Sequence, residues 1–148
     1  MLYTIRKNDF EELVNVVEIT VRESVAETEK DAEFLIDDIV KSLDKWFKSE
    51  EGGFCYKYTS SSEIVGFILV KGFWNLSHLF ILPSFQGRGI GRNLVVNAMI
   101  ECREKSPRGK VLVNSSAVAA KFYETMGFRQ IGPGIERPGG CIPYEYSF

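Results

Sequence analysis

The chain is poor in the residues that most often build metal sites and nucleophilic centres. It has one histidine and three cysteines in 148 residues. Cys55, Cys102 and Cys141 are widely spaced, with no C-x-x-C and no Cys/His pair at ligand spacing, which argues against a structural zinc site. Three is also odd for a disulfide framework, so reduced and mostly buried thiols are expected. A basic excess is missing too. The net charge of −2 makes no electrostatic case for nucleic acid. No apolar run approaches the ~20 residues of a membrane-spanning helix. The segment Met1 to Asp9 lacks the apolar stretch of a signal peptide. These absences predict a cytoplasmic protein with no metal, nucleic-acid or membrane partner.

What is present is an average globular composition, 45% hydrophobic and 26% charged, in a length that suits one domain over residues 1–148. Leu2 to Arg6 alternates as a first strand. Asn8 or Asp9 is placed to cap a helix whose apolar face is Leu13, Val14, Val17 and Val21. A second helix is expected over 31–47, with Leu35, Ile39, Leu43, Trp46 and Phe47 on one side, ended by Gly52-Gly53. Phe54–Tyr58 and Ile64–Val70 read as a hairpin around Ser60-Ser61-Ser62-Glu63. The second of these runs is apolar throughout, as in a strand buried on both faces. Leu76–Leu82 is the next strand. Ile90, Leu94, Ala98 and Cys102 recur at helical spacing up to a stop at Ser106-Pro107-Arg108-Gly109. Val111–Val113, a helix over 117–126 capped by Ser115 or Ser116, a strand from Phe128 and a last strand over 142–148 complete the order. A meander followed by strand–helix–strand units implies an α/β (mixed α+β) fold. Its mixed, mostly antiparallel sheet has six or seven strands, with about four helices on both faces.

The most informative stretch is His78 to Arg92. An apolar strand stops at Pro83, glycines stand at 87, 89 and 91 with Arg88 and Arg92 among them, and a helix follows at once. Consecutive backbone N–H groups at a helix start make an anion site, and the arginines add fork-shaped donors. For the arginines, a solvated charge at a helix start is the plainer alternative. A phosphate or pyrophosphate is the expected ligand. The G-x-x-x-x-G-K-[ST] pattern of nucleotide-binding P-loops fails, since no Lys-Ser or Lys-Thr follows a glycine. The G-x-G-x-x-G dinucleotide fingerprint also fails: counted from Gly87 it ends on Arg92, and from Gly89 on Leu94. Gln86, Gly89 and Gly91 do match Q-x-x-G-x-G.

That segment, Leu-Pro-Ser-Phe-Gln-Gly-Arg-Gly-Ile-Gly-Arg-Asn-Leu, resembles the acyl-CoA-binding motif of the GNAT superfamily of N-acetyltransferases. A second segment, Val-Asn-Ser-Ser-Ala-Val-Ala-Ala-Lys-Phe-Tyr-Glu-Thr-Met-Gly-Phe, is similar to that family's C-terminal motif, in the right order and at a suitable separation. The element order matches along the chain, residues 1–50 by pattern alone. The resemblance implies an acyl-CoA N-acyltransferase fold and transfer of acetyl from acetyl-CoA to a primary amine by direct attack in a ternary complex.

The resemblance also implies roles, residue by residue. Gln86, Gly87, Arg88, Gly89, Ile90, Gly91 and Arg92 would hold the pyrophosphate of coenzyme A. Leu79, Phe80 and Ile81 would offer backbone groups to the pantetheine arm, with a bulge splaying their strand from its parallel neighbour near Val113. The Ile81 N–H would polarise the thioester carbonyl. Asn114 and Ser116 occupy cofactor-contacting positions, Ser116 where the family more often has asparagine. Tyr123 matches the tyrosine that protonates the leaving thiolate; as a core aromatic it would need no such role, and Phe122 is the better core residue of the two. His78 is a candidate general base, with Glu63, Glu23, Glu27 or a chain of waters as alternatives. An acetyl-cysteine intermediate is the less favoured route. The acceptor, a small molecule or a peptide amine, would meet Trp46, Phe47, Trp74, Tyr144 and Tyr146 beside Glu23, Glu27 and Glu29, and the aromatics could instead serve a homodimer interface. A non-catalytic acyl-CoA-binding module would keep the glycine loop and have no use for Tyr123. A nucleotide-binding enzyme would prefer ATP or NAD.

Overall fold

The computed structural model describes residues 1–49 and 51–148. Short strand β1 (Leu2–Thr4) leads into helix α1 (Phe10–Thr20) and then α2 (Glu29–Lys48). Three antiparallel strands follow, β2 (Gly53–Ser60), β3 (Glu63–Lys71) and β4 (Asn75–Ile81). Helix α3 (Ile90–Lys105), β5 (Lys110–Ser115), α4 (Ala120–Thr125), β6 (Arg129–Gln130) and β7 (Ile142–Ser147) complete the chain. The seven strands form one sheet in the order β1-β2-β3-β4-β5-β7-β6. Every pairing is antiparallel except β4 with β5. This is the mixed, mostly antiparallel sheet expected from the element order. Among the described residues no helix is long and apolar enough to cross a membrane.

The sheet separates two cores. On one face α1 and α2 bury Leu13, Val16, Val17, Ile36, Ile39 and Leu43 against Phe67 and Leu69. On the other, α3 buries Ile90, Leu94, Val95, Ala98 and Cys102 against Ile68, Val70, Val111 and Val113. Strand β3 feeds both, and every residue from Ile64 to Val70 is buried, as its unbroken apolar run predicts. All three cysteines are free and buried.

Several local expectations change. Asp9 does not cap α1. Its carboxylate accepts from the Arg6 N–H at 2.8 Å and from Lys57 at 2.8 Å, because a long-range buried partner outbids the local one. Val16 replaces Val14 on the buried face. Beyond Thr20, α1 loosens into one π-helical turn, Val21–Val25, closed by Ala26 N–H to Val21 O at 2.9 Å. Thr28 caps α2, its hydroxyl accepting from the Asp31 N–H at 3.1 Å. Neither Ser115 nor Ser116 caps α4. The Ser115 hydroxyl bonds Ser116 O, the Ala117 N–H goes to Gly139 O, and the helix starts at Ala120 rather than 117.

One departure from regularity sets up everything that follows. Opposite β3, Leu69 pairs with His78 and Val70 with Leu76, so Ser77 is an extra residue on β4. This bulge bends β4. Its parallel pairing with β5 is confined to Asn75–Leu112 and Leu76–Val113, and past that point the two strands part.

Candidate active site

The gap between β4 and β5 opens into a cleft of about 770 Å³. In the β3–β4 ladder, the Leu82 N–H donates to Val65 O at 2.8 Å. Antiparallel alternation then turns the N–H and C=O of Leu79 and Ile81 towards the gap, and those of Phe80 towards β3. The Ile81 carbonyl is held from two sides, by Gln86 Nε2 at 2.9 Å and Thr20 Oγ1 at 3.4 Å. Of the three residues expected to offer backbone groups, two present them to the cleft. Phe80 contributes its ring, which packs against Phe67.

At one end of the cleft stands the glycine loop. Gly87 and Gly89 have φ of +77° and +83°, where side-chain-bearing residues are strained, and a Cβ on either would meet open space. Gly91 is an ordinary helical residue whose missing Cβ faces the Phe122 ring at 3.5 Å. The three glycines therefore serve two purposes, shaping the loop and packing the helix. Asn93 N–H to Gly89 O is the first helical bond of α3, so the N–H groups of Ile90, Gly91 and Arg92 precede the ladder and have no acceptor in it. No side chain caps this end. Arg88 lies over the Phe85 ring at 4.8 Å and Arg92 approaches Met126 Sδ at 3.9 Å. Among the described residues neither has a carboxylate partner, so the loop is a positive site with no internal counter-charge.

Tyr123 lines the cleft from α4. It is the more buried of the neighbouring pair, 4% exposed, whereas Phe122 lies half-buried against Gly91, which reverses the expected order. Its ring is wedged edge-on between Phe122 and Phe128. Among the described residues its hydroxyl has no hydrogen-bond partner, and burial pushes the phenol well above its ordinary pKa. Asn114 and Ser116 also line the cleft, below the turn that precedes α4.

His78 lines the cleft on the α1–α2 side of β4. Most of its surroundings are protein. Burial, with the Lys71 charge adding to it, pushes the imidazole down to about 3, which leaves it neutral at physiological pH. Its Nε2 is 3.2 Å from Ser42 Oγ.

The expected acceptor side chains lie elsewhere. Phe47 packs edge-on against both Phe10 and Trp46. Trp74 is covered by the Arg108 guanidinium at 3.5 Å. Tyr144 is buried and donates to Glu124 Oε2 at 2.6 Å, and Tyr146 packs on Phe128 and Phe148. Glu23 and Glu27 are exposed outside the cleft, and Glu29 pairs with Arg22 at 3.0 Å. The far wall is built instead from Thr20, Ser24, Asp38, Arg137, Gly139 and Cys141. Thr20 faces it from the end of α1 and Ser24 from the π-helical turn that follows. Gly139, at φ +75°, brings the β6–β7 loop against Val25 and Leu35, where a Cβ would lie 3.1 and 3.3 Å away. Thr20 had one signal in the sequence, a polar residue on the apolar stripe of α1. Arg137 and Asp38 had none, because a loop and an exposed helical position acquire meaning only from what stands opposite.

A mixed sheet parted between its two parallel strands, above a glycine-rich helix start, is the architecture of the acyl-CoA N-acyltransferase fold. Residues 15–146 match the acetyltransferase (GNAT) domain family. Among solved structures the chain is similar to a GCN5-related N-acetyltransferase from Rhodopseudomonas palustris, with a TM-score of 0.84 at 17% identity, covering 100% of this chain and 95% of that one. It is also similar to the PaiA N-acetyltransferase from Thermoplasma acidophilum in complex with coenzyme A, at 0.78 and 18%, covering 100% and 98%. A third likeness is the ribosomal-protein-S18-alanine N-acetyltransferase from Escherichia coli, at 0.70 and 14%, covering 99% and 92%. No curated protein sequence matches. The chain belongs to the GNAT family of acetyltransferases.

Proposed function

We propose that the protein transfers an acetyl group from acetyl-CoA to a primary amine by direct attack in a ternary complex. The observation that carries this reading is the continuity of one cleft. It runs from the uncapped α3 start with Arg92, Arg88 standing beside it over the Phe85 ring, through the β4–β5 gap, past Tyr123, to a wall with one carboxylate, Asp38. A pyrophosphate fits the first part, a pantetheine arm the gap, and a cationic amine, free or on a peptide, the last.

In this scheme the loop from Gln86 to Arg92 binds the pyrophosphate through backbone N–H groups and the two guanidinium groups. Leu79 and Ile81 give the extended arm main-chain partners, and the Ile81 N–H polarises the thioester carbonyl. The amine nitrogen attacks the carbonyl carbon and the carbon–sulfur bond breaks. The nitrogen gives one proton to water before it attacks and a second after it, Tyr123 donates a proton to the departing sulfur, and the tyrosinate is reprotonated from solvent. A phenol above its ordinary pKa is a weak acid but a reliably protonated one, so the donor is in place throughout the neutral range.

The test is release of free thiol from acetyl-CoA with a panel of primary amines, with the acetylated product identified by mass. Saturable turnover with at least one amine supports the reading. Tight binding of acetyl-CoA with no amine acetylated, and no change on Tyr123→Phe, would instead favour a non-catalytic acyl-CoA-binding module.

A further inference from the structure

The environment of His78 contains a chain of hydrogen bonds that the acetyl-transfer scheme leaves unused. Lys71, at the end of β3, places Nζ 2.8 Å from Ser42 Oγ on α2, and the same oxygen lies 3.2 Å from His78 Nε2. An ammonium can only donate, so Ser42 accepts from Lys71. The hydroxyl has one proton of its own, and among the described residues its sole acceptor within reach is Nε2. A hydroxyl can also accept twice, but the serine proton would then go unpaired in a partly buried place, at a cost. We infer that Lys71 and Ser42 are positioning residues that lock His78 as the neutral imidazole with its proton on Nδ1.

The consequence is chemical. With Nε2 spent on Ser42, the imidazole's free polar group is the Nδ1–H, a donor. His78 is then no general base. Resting on the acetyl-transfer reading, its role is to donate a hydrogen bond to an oxygen within the cleft, in the acceptor or the acetyl group. A second proton on Nε2 would set two donors against each other at Ser42 and put a cation beside Lys71, so the geometry itself opposes protonation. The other titratable groups lining the cleft are Asp38 from α2, Arg92 from α3, Tyr123 from α4, and Arg137 and Cys141 from the β6–β7 segment; α1 and the π-helical turn after it present only Thr20, Val21, Ser24 and Val25.

Imidazole nitrogen NMR on the uniformly labelled, ligand-free protein tests this directly, since the chain has a single histidine. The wild type should show a protonated Nδ1 and an unprotonated Nε2 across roughly pH 5 to 8, where an ordinary imidazole titrates. Ser42→Ala should release the lock, giving a mixture of tautomers, and Ser42→Thr should restore the single form. Lys71→Met removes the neighbouring charge and should move the titration upward towards that range. With an amine substrate, the acid limb of the wild-type kcat/KM profile should carry no histidine-like ionisation, and Lys71→Met should introduce one. A protonated Nε2, or a wild-type imidazole that titrates between pH 5 and 8, overturns the inference. Because the spectra need no turnover, that failure is separable from failure of the acetyl-transfer reading, which the thiol-release assay decides alone.

Discussion

Replacing Tyr123 by phenylalanine separates the catalytic reading from the structural one, because both leave stability unchanged and only the first predicts a large loss of kcat. The ring is buried and touches Phe122 and Phe128, and the substitution leaves those contacts alone. The hydroxyl has no partner among the described residues, so its loss breaks no hydrogen bond. Removing an unpaired, largely desolvated hydroxyl is neutral or slightly stabilising, and the unfolding free energy should change by less than about 0.5 kcal/mol. Activity should behave otherwise. A positioned proton donor contributes about 10²–10⁴-fold, equivalent to roughly 3–5 kcal/mol of barrier. The loss should fall on kcat, with KM for acetyl-CoA nearly unchanged, since the phenol acts on the leaving sulfur and not on the pyrophosphate. The raised pKa of Tyr123 fixes the sign of the pH dependence: the wild type keeps its donor on the alkaline side, so kcat should not fall through Tyr123 ionisation around the ordinary phenol value of about 10. Thiol release measured from neutral to alkaline pH, beside urea unfolding of both proteins, reads all of this. A variant that is equally stable and retains most of its kcat would refute the assignment, as would a wild-type rate that drops with an ordinary phenol pKa.

Other consequences are as direct. Gly89→Ala should cost about 1–2 kcal/mol of stability, because it forces a side chain to φ +83°, and should weaken coenzyme A binding in calorimetry. Gly91→Ala, whose methyl meets the Phe122 ring at 3.5 Å and Ile81 Cγ1 at 3.8 Å, both ordinary contacts, should leave the melting temperature at or above the wild-type value. Asp9→Asn should lower the unfolding free energy by about 3 kcal/mol at neutral pH by orphaning Lys57. Burial acts to raise the Asp9 pKa, but the Lys57 hydrogen bond, the Arg6 N–H and both positive charges outweigh it and hold the carboxyl below its ordinary value. A depressed carboxylate contributes stability above its unfolded pKa and loses it as the pH falls through the folded one. The gap between Asp9→Asn and wild type should therefore close below roughly pH 4. An equal gap at pH 3 and pH 7 in urea titrations would contradict that account.

The fold was legible in the sequence where one periodicity governed a long segment. The apolar run Ile64–Val70 can only be a strand covered twice, and the four-residue recurrence from Ile90 to Cys102 can only be a helix on a sheet. The glycine loop was legible because positive φ and a helix start are local demands met by local residues. Boundaries failed where distant groups competed with near ones: Asp9 went to Lys57 and Arg6 and left α1 without its cap, and the Ala117 N–H went to Gly139 O, which delayed α4.

The sequence by itself determined that this is a GNAT-type chain with a glycine-rich loop at a helix start and a tyrosine at a set distance beyond it. Only the tertiary structure decided which residues face one another. One extra residue at Ser77 parted β4 from β5 and made the cleft. The aromatics expected to line the acceptor side were drawn into packing, and Thr20, Ser24, Asp38 and Arg137 stood there in their place. Ser42, from a helix 36 residues upstream of His78, spent the Nε2 lone pair that a general base would need. The physical reason is common to all three. A turn or a helix start is settled by neighbours along the chain, while a cleft wall and a histidine's tautomer are settled by neighbours across it.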